Sequence, residues 1–448
     1  MQKMIAEIIQ MYQVQGMIAV AFNDRGEILA EEIAGFRDVK AKKTINRDTI
    51  FGIASISKSF TALAMMQLVE RKIIDLEQPV QVYIPEFKNP QVLVKHLLSH
   101  TSGYYPQHRT TVYEVAQHLG INVSTAKDLA YNQVFAQAGI QRICHMLNNV
   151  QSFCGKSGER LSYSNDGYGL LTAIIARFGG APTYTEYMET NIFNPLRLQR
   201  THVGFDFLRT DTNVTNLYQV EKNEITETTD YYDNAFALMG GGAIKSTIND
   251  LMQYVLLFLN QHSPIIKAES LQQMMQPITQ YTLDSSYGYG LSIEQVAGCT
   301  FVGHGGSLTG VSSQILWCPE KKKGAIVLCN TSDVPVVAIA QSMLAQASQI
   351  ALPQRKQPKD CWLEQDKQQI IGTYYSDEGD NVKITKPSLI ANPPILTIGD
   401  IEKEYIFGES GIIYLVQPFH KTSLQFLKNE VGTIFAVKLG ARILAKKS

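Results

Sequence analysis

Charge is scarce in this sequence and what there is cancels. Asp, Glu, Lys and Arg make up 18% of the 448 residues and leave a formal net charge of -1, where a typical chain carries about a quarter charged residues. Without a basic excess, nucleic-acid binding lacks its electrostatic footprint, and a polybasic membrane patch is missing too. Cysteine is also sparse. Six residues (Cys144, Cys154, Cys299, Cys318, Cys329, Cys361) contain no Cys-x-x-Cys pair, which excludes a disulfide scaffold, a zinc ribbon and a thioredoxin-type dithiol. No stretch reaches the about 18 consecutive apolar residues of a membrane span. The opening MQKMIAEIIQMYQVQG is apolar at Met4, Ile5, Ile8, Ile9 and Tyr12, which is a helical period. Glu7, Gln10 and Gln13 interrupt it, so it is not the apolar core of a signal peptide. The chain as it stands reads as cytoplasmic, or as secreted or periplasmic if a signal has been removed. There is no internal repeat and no low-complexity tract.

What is present is apolar bulk. Hydrophobic residues make up 45% of the chain, which excludes disorder and supports a large core. At about 150 residues per domain, the length allows two to three domains. After the first helix come strand-like runs at Met17–Asn23 and Glu27–Gly35, joined by the turn Asp24-Arg25-Gly26. From Thr49 to Asn260 the pattern is mostly helical, with helices predicted at Phe60–Val69, Thr125–Gly139, Gly167–Phe178 and Asp250–Leu259. Strands return at Tyr289–Ile293, Thr300–Gly303, Ser312–Trp317 and Gly324–Cys329, where Cys299, Cys318 and Cys329 read as buried thiols. Pro335–Leu352 then reads as a long apolar helix. Strands at both ends of a helical block predict one sheet covered by helices, with an inserted all-α lobe.

At Pro353-Gln354-Arg355-Lys356-Gln357-Pro358-Lys359-Asp360 the composition turns polar and proline-bearing. This predicts a linker over 353–366 between a domain at 1–352 and a second at 367–448. The second contains short alternating runs at Ile370–Tyr375, Asn381–Ile384, Ile395–Ile398, Tyr405–Phe407, Ile412–Val416, Ser423–Phe426 and Gly432–Val437, separated by Gly, Asp, Asn and Pro. Such spacing predicts a small β-barrel or sandwich.

Several motif resemblances fail on one residue. Met239-Gly240-Gly241-Gly242-Ala243-Ile244-Lys245-Ser246 has no Gly directly before its Lys, as a phosphate-binding loop requires. Gly305-Gly306-Ser307-Leu308-Thr309 has Thr where a nucleophile elbow needs its second Gly. His96-Leu97-Leu98-Ser99-His100 has Leu97 where a zinc protease needs Glu. The two histidines read as structural, with Ser99-His100-Thr101-Ser102-Gly103 forming the turn that ends a helix. No metal site and no cofactor is predicted.

Ser55-Ile56-Ser57-Lys58 survives. A Ser at the start of a helix meets unpaired backbone N–H groups and the positive end of the helix dipole, both of which favour a developing anion. Lys58, three residues on, lies on the same helix face. Burial disfavours the charged form of such a Lys and makes neutral amine accessible. Ser124-Thr125-Ala126-Lys127 repeats the spacing, but in polar surroundings where Ser124 reads as an N-cap. The helix opened by Ser55 is instead apolar on nearly every face. A second element is Tyr163-Ser164-Asn165. In extended chain, Tyr163 and Asn165 point the same way, and the phenol needs a nearby cation, here Lys58, to act as a base. Tyr232-Asp233-Asn234 is its competing copy. The third is Phe301-Val302-Gly303-His304-Gly305-Gly306-Ser307, a strand whose glycines let a ligand approach.

Taken in order, these elements resemble the serine β-lactamase and penicillin-binding-protein superfamily, in its class C-like branch. So do Phe51-Gly52-Ile53-Ala54-Ser55-Ile56-Ser57-Lys58, Ile74-Asp75-Leu76-Glu77-Gln78-Pro79-Val80, the Val94–Gly103 block, Tyr163-Ser164-Asn165-Asp166-Gly167-Tyr168, Gly241-Gly242 ahead of Ser246-Thr247 and Asp250, and Tyr287-Gly288-Tyr289-Gly290-Leu291. The resemblance spans about Met1 to Leu352. It implies a β-lactamase/transpeptidase-like α+β fold, an antiparallel sheet flanked by helices with an inserted all-α lobe, in which Ser55 is the acylated nucleophile, Lys58 its proton-transfer partner and Tyr163 the general base and acid. Asn165 would bind the substrate amide, and Gly305, Gly306 and Ser307 would line the substrate strand, with the N–H groups of Ser55 and Ser307 as oxyanion hole. His304 stands where β-lactamases usually carry a substrate-binding Lys, so an esterase or D-aminopeptidase type of hydrolase is expected ahead of an efficient β-lactamase or D,D-peptidase. A peptide cyclase, a slow-turnover β-lactam sensor and an inactive relative are the other readings. The tail resembles the lipocalin-like barrel of some relatives, with Ile371-Gly372-Thr373-Tyr374-Tyr375 as its opening strand. The expected partner is a small ester, amide or peptide substrate; no residue pattern specifies an oligomeric state.

Overall fold

The computed structural model describes residues 1–107, 112–120, 133–204, 210–228, 239–353, 358–386 and 393–447. Helix α1 (Gln2–Met11) leads into β1 (Gly16–Asn23), which is buried along its whole length. Successive strand side chains point to opposite faces. Ile18, Val20 and Phe22 therefore enter one core, while Met17, Ala19 and Ala21 enter another. The same period sorts the later strands β8 (Val311–Cys318) and β9 (Lys323–Cys329), with Ile315, Trp317, Ile326 and Leu328 on the first face and Leu316, Ala325 and Val327 on the second. The near-continuous apolar runs in these strands thus reflect a sheet covered on both sides.

The remaining strands of this sheet are β2 (Ile28–Asp38), β3 (Lys43–Thr44), β4 (Thr279–Gln280), β5 (Ser285–Tyr287), β6 (Ser292–Val296) and β7 (Cys299–Leu308). Their order is β3-β2-β1-β9-β8-β7-β6-β5-β4. Pairings such as Ile18 opposite Leu328 and His304 opposite Ile315 are antiparallel. On one face lie α2 (Ser57–Glu70), α3 (Asn165–Phe178) and α4 (Ile248–Asn260). On the other, α1 packs Ile5 and Ile8 beside Ile339, Met343 and Leu344 of α5 (Val336–Ser348). Every residue of α2 from Ser57 to Leu68 is buried, which explains a helix without a polar face. Tyr254 of α4 stacks on Phe60, ring centroids 3.7 Å apart, and its hydroxyl donates to Ser59 Oγ.

The structure redraws several expected boundaries. Of the strand expected at Tyr289–Ile293, Ser292 and Ile293 open β6 while Tyr289 and Gly290 form a bend; Gly290 takes φ +72°, and a Cβ there would sit 2.9 Å from the Lys58 carbonyl oxygen and 2.7 Å from Ala62 Cβ. The bend is pressed against α2 where only glycine fits. Helix α5 stops at Ser348, not Leu352, because Gln349 turns left-handed at φ 57°. Residues 125–132 of the helix expected at Thr125–Gly139 lie outside the described residues, and the described helix there covers Gln133–Asn148, past the expected end. In the described residues, no helix is long and apolar enough to cross a membrane.

The tail forms a second sheet: β10 (Gly372–Tyr375), β11 (Asn381–Thr385), β12 (Ile395–Ile398), β13 (Ile401–Glu402), β14 (Tyr405–Phe407), β15 (Ile412–Leu415), β16 (Ser423–Lys428), β17 (Ile434–Leu439) and β18 (Arg442–Lys446). Its order is β13-β12-β11-β10-β18-β17-β16-β15-β14. The two edge strands are joined by only Lys403 and Glu404, so the sheet curls until its edges approach, yet the ladder stays open at that seam. The expected closed barrel is therefore a half-barrel. The ladder needs continuous register to close, and β13 is only two residues long.

Trp362, inside the segment expected to be linker, is buried with Ile370, Tyr374 and Phe426, and its Nε1 donates to the Ile412 carbonyl. A short helix follows at Glu364–Gln369. Trp362→Ala removes this anchor and is expected to destabilise the tail sheet by about 3–5 kcal/mol, read as a lowered denaturant midpoint; an unchanged midpoint would show that Trp362 is not part of its core.

Candidate active site

The residue before Ser55 is conformationally strained. Ala54 takes φ 45°, a left-handed state that a residue with a Cβ adopts at a cost of about 1–3 kcal/mol. Ser55 does not sit on α2 itself but in the 3-10 turn Ala54–Ile56 that runs into it. The Ser57 side chain ties this turn together, donating to the Ala54 carbonyl and accepting from Ile244 N–H. Lys58, fully buried on the first turn of α2, donates from Nζ to Ser55 Oγ at 3.2 Å, Asn165 Oδ1 at 2.9 Å and the Gly241 carbonyl at 2.6 Å. A buried ammonium is tolerable only when its hydrogens are so accepted. The glycine run that failed as a phosphate loop thus serves another purpose. Its backbone lies against α2, with the Gly241 carbonyl on Lys58 and the Gly240 carbonyl on Thr61.

Tyr163 and Asn165 arrive on the segment entering α3. Ser164, extended at φ -132°, caps the helix by accepting from Gly167 N–H. His100 fixes this segment from below. Its carbonyl accepts from Ser162 N–H, its Nδ1 accepts from Ser164 N–H at 3.2 Å, and its ring lies 4.1 Å from that of Tyr163. Tyr163 is hydrogen-bonded to Ser55, and Lys58 Nζ stands 4.9 Å from its ring centroid. Burial pushes the phenol well above its ordinary pKa, helped by Tyr281, while the Ser55 hydrogen bond and the charge of Arg442 oppose the rise. Four of the expected residues (Ser55, Lys58, Tyr163 and Asn165) therefore meet around one ammonium group.

The third element is β7. At Gly306, a Cβ would lie 2.2 Å from the Ile53 carbonyl oxygen, so the strand runs directly against the turn carrying Ser55. Ser307 follows, its side chain exposed, and Gly305 is partly buried. His304 differs from the expectation of a substrate-facing group. It is buried, with Nδ1 2.6 Å from the Gly305 carbonyl and Nε2 2.9 Å from the Tyr287 hydroxyl. A carbonyl only accepts, so Nδ1 carries the proton and Nε2 accepts from Tyr287. Burial, with Lys58 nearby, pushes its pKa down to about 3, and the ring brings no charge to the site.

Three contributors were not anticipated: His100, Glu378 and Arg442. The last two come from the tail. Glu378 Oε1 accepts from Asn165 Nδ2 at 2.7 Å and its Oε2 pairs with Arg442 Nε at 2.6 Å. The Ala441 carbonyl accepts from Tyr163 N–H at 2.9 Å. The competing copies at Ser124 and Tyr232 lie outside the described residues. Among the described residues, no cluster of three His, Cys, Asp or Glu side chains could hold a metal.

His100 and His304 are both held neutral, His100 well below its ordinary pKa by burial and then by Lys58. In the unfolded chain each protonates near pH 6.5. The unfolded state then binds more protons, so stability is full above about pH 6.5 and falls as the pH drops toward about 3 for His304. Thermal unfolding between about pH 7 and about pH 4 should show a Tm that declines with pH, and less steeply in His304→Gln. An identical slope in the variant would show that His304 does not contribute to the decline.

The chain is similar to several known proteins. Penicillin-binding protein 4* of Bacillus subtilis (strain 168) is 25% identical over 406 residues, 86% of this chain and 84% of that protein. The D-aminopeptidase of Brucella anthropi is 22% identical over 333 residues, 74% of this chain and 59% of the relative, so the chain spans under two thirds of that enzyme. Among solved structures, the octameric penicillin-binding protein homologue from Pyrococcus abyssi superposes with a TM-score of 0.68 at 25% identity, over 99% of both chains. The family model described as Beta-lactamase matches residues 1–348. The chain therefore belongs to the β-lactamase family of serine hydrolases.

Proposed function

We propose that Ser55 attacks the carbonyl carbon of a small ester or amide, an ester or peptide-type substrate being favoured over a β-lactam. The observation that carries this is the meeting of Ser55, Asn165 and Gly241 on the Lys58 ammonium, with Tyr163 bonded to the same serine. In the first step Tyr163, as phenolate, takes the Ser55 hydroxyl proton while Oγ bonds to the carbonyl carbon. The N–H groups of Ser55 and Ser307 receive the oxyanion. As the tetrahedral intermediate collapses, Tyr163 returns its proton to the leaving alkoxide or amine, and an acyl-enzyme remains. Water then attacks, giving its proton to Tyr163, and Ser55 leaves by taking that proton back. Lys58 holds positive charge beside both oxygens, and Asn165 holds Lys58 and the substrate amide. Gly305 and Gly306 leave room for substrate along β7.

The preference among substrates follows from His304. A ring whose pKa lies at about 3 offers no permanent charge to the carboxylate of a β-lactam or of a C-terminal peptide end. In domain terms, we read residues 1–352 as the catalytic domain with an all-α lobe between its strands. The half-barrel, beginning at Trp362 within the 353–366 segment, is a lipocalin-like companion. No cofactor enters the scheme.

Ser55→Ala is expected to reduce hydrolysis of p-nitrophenyl acetate to below about one thousandth of wild type, and wild type should carry an acetyl group on Ser55 by mass spectrometry. Unchanged turnover in Ser55→Ala would overturn the mechanism. For substrate preference, kcat/KM for nitrocefin should fall below that for the neutral ester. Rapid nitrocefin turnover would restore the β-lactamase reading, and a long-lived penicillin adduct without turnover of any ester or amide would favour a sensor.

A further inference from the structure

A buried phenol can accept a proton from serine only if positive charge stabilises the phenolate. The groups facing Tyr163 sort cleanly. His100 and His304 are kept neutral by burial and by Lys58. Tyr168, Tyr281 and Tyr287 are phenols held protonated by burial. The cations are Lys58, with Nζ 4.9 Å from the ring centroid, and Arg442, with Cζ 5.3 Å from it. Lys58 is already spread over Ser55, Asn165 and Gly241. Arg442 stands on the first residue of β18 and is held there by Glu378, with Asp380 Oδ2 3.5 Å from the same Nε. The Glu378 side chain is 6% exposed, so its carboxylate is committed to Arg442 and to Asn165 Nδ2 and fixes the guanidinium over the ring.

We propose that Arg442, reaching in from the tail sheet, is a positioning residue of the active site: it holds a second positive charge over Tyr163 and enables that phenol to take the Ser55 proton, with Glu378 setting how much of the charge Tyr163 feels. Guanidinium suits this role because it cannot be deprotonated in a protein and tolerates an aromatic face. The proposal rests on Tyr163 being the proton carrier for Ser55. It makes the tail a part of the catalytic apparatus and assigns to a residue of another sheet the charge that His304 does not supply.

The test uses the full chain and p-nitrophenyl acetate, which carries no carboxylate for Arg442 to bind, with the Ser55→Ala rate subtracted. The rising limb of kcat/KM against pH reports the base of the free enzyme. In Arg442→Met this limb should move up by about one pH unit, with a loss of about tenfold at neutral pH. In Glu378→Gln, where Arg442 is less compensated, it should move down. Arg442→Lys should recover most of the wild-type profile. Because Arg442→Met strands the Glu378 charge and could unfold the tail, Glu378→Gln/Arg442→Met supplies a neutral, charge-balanced control; its limb should stay above wild type. If that double variant regains the wild-type rate and profile, Arg442 is only the counter-ion of Glu378 and the proposal is overturned. Loss confined to esters bearing a carboxylate would overturn it as well, in favour of substrate anchoring. Activity that survives in Ser55→Ala would instead defeat the serine mechanism, so the two failures are distinguishable.

Discussion

A positive charge buried in the middle of a helical core governs this structure. Lys58 is fully buried, and the chain must bring acceptors to it from several directions. One comes from the turn that begins α2, one from the first residue of α3, and one from the backbone of a glycine run in which Gly240 has no room for a side chain. Each acceptor restricts the element that carries it. The left-handed Ala54 and the carbonyl of Gly241 make sense only when the ammonium group is taken as their common centre. A charge left without such partners would cost several kcal/mol, so the site and the core it occupies are one construction.

What could be read beforehand follows from the range of the interactions involved. Ser55 and Lys58 are one helical turn apart and Tyr163 and Asn165 share a short segment, so local spacing exposes them. The alternating strands of the tail were equally visible, since period-2 burial in β11, β15 and β16 is a local property. Strand β18 escaped notice because Arg442 and Lys446 interrupt its apolar pattern. The polar run before Trp362 masked a core residue by its neighbours. Closure of the barrel depends on the seam between β13 and β14, which no run of residues announces. Glu378 and Arg442 lay beyond reach for a plainer reason: charged residues in turns and on short strands ordinarily face solvent, and only the docking of the tail reveals where these two point.

His304 shows the limit of carrying a role from one residue type to another. The position was legible and its type was too, but an imidazole at that place is used by the fold. Its two nitrogens are satisfied by Gly305 and Tyr287, and it packs among aromatic rings as an uncharged wedge. The surroundings of Tyr163 and Asn165, by contrast, are shared between two sheets.

The hydrogen bond from Asn165 to Glu378 joins residues 213 positions apart. A bond of such reach ties the tail sheet to the segment that opens α3, so order in one supports order in the other. Without the tail docked, Asn165 would lack the Glu378 carboxylate and Tyr163 N–H would lack the Ala441 carbonyl. Local unfolding of the tail would remove the same two contacts from a mature molecule. Chemistry here becomes an indicator of the integrity of the whole chain.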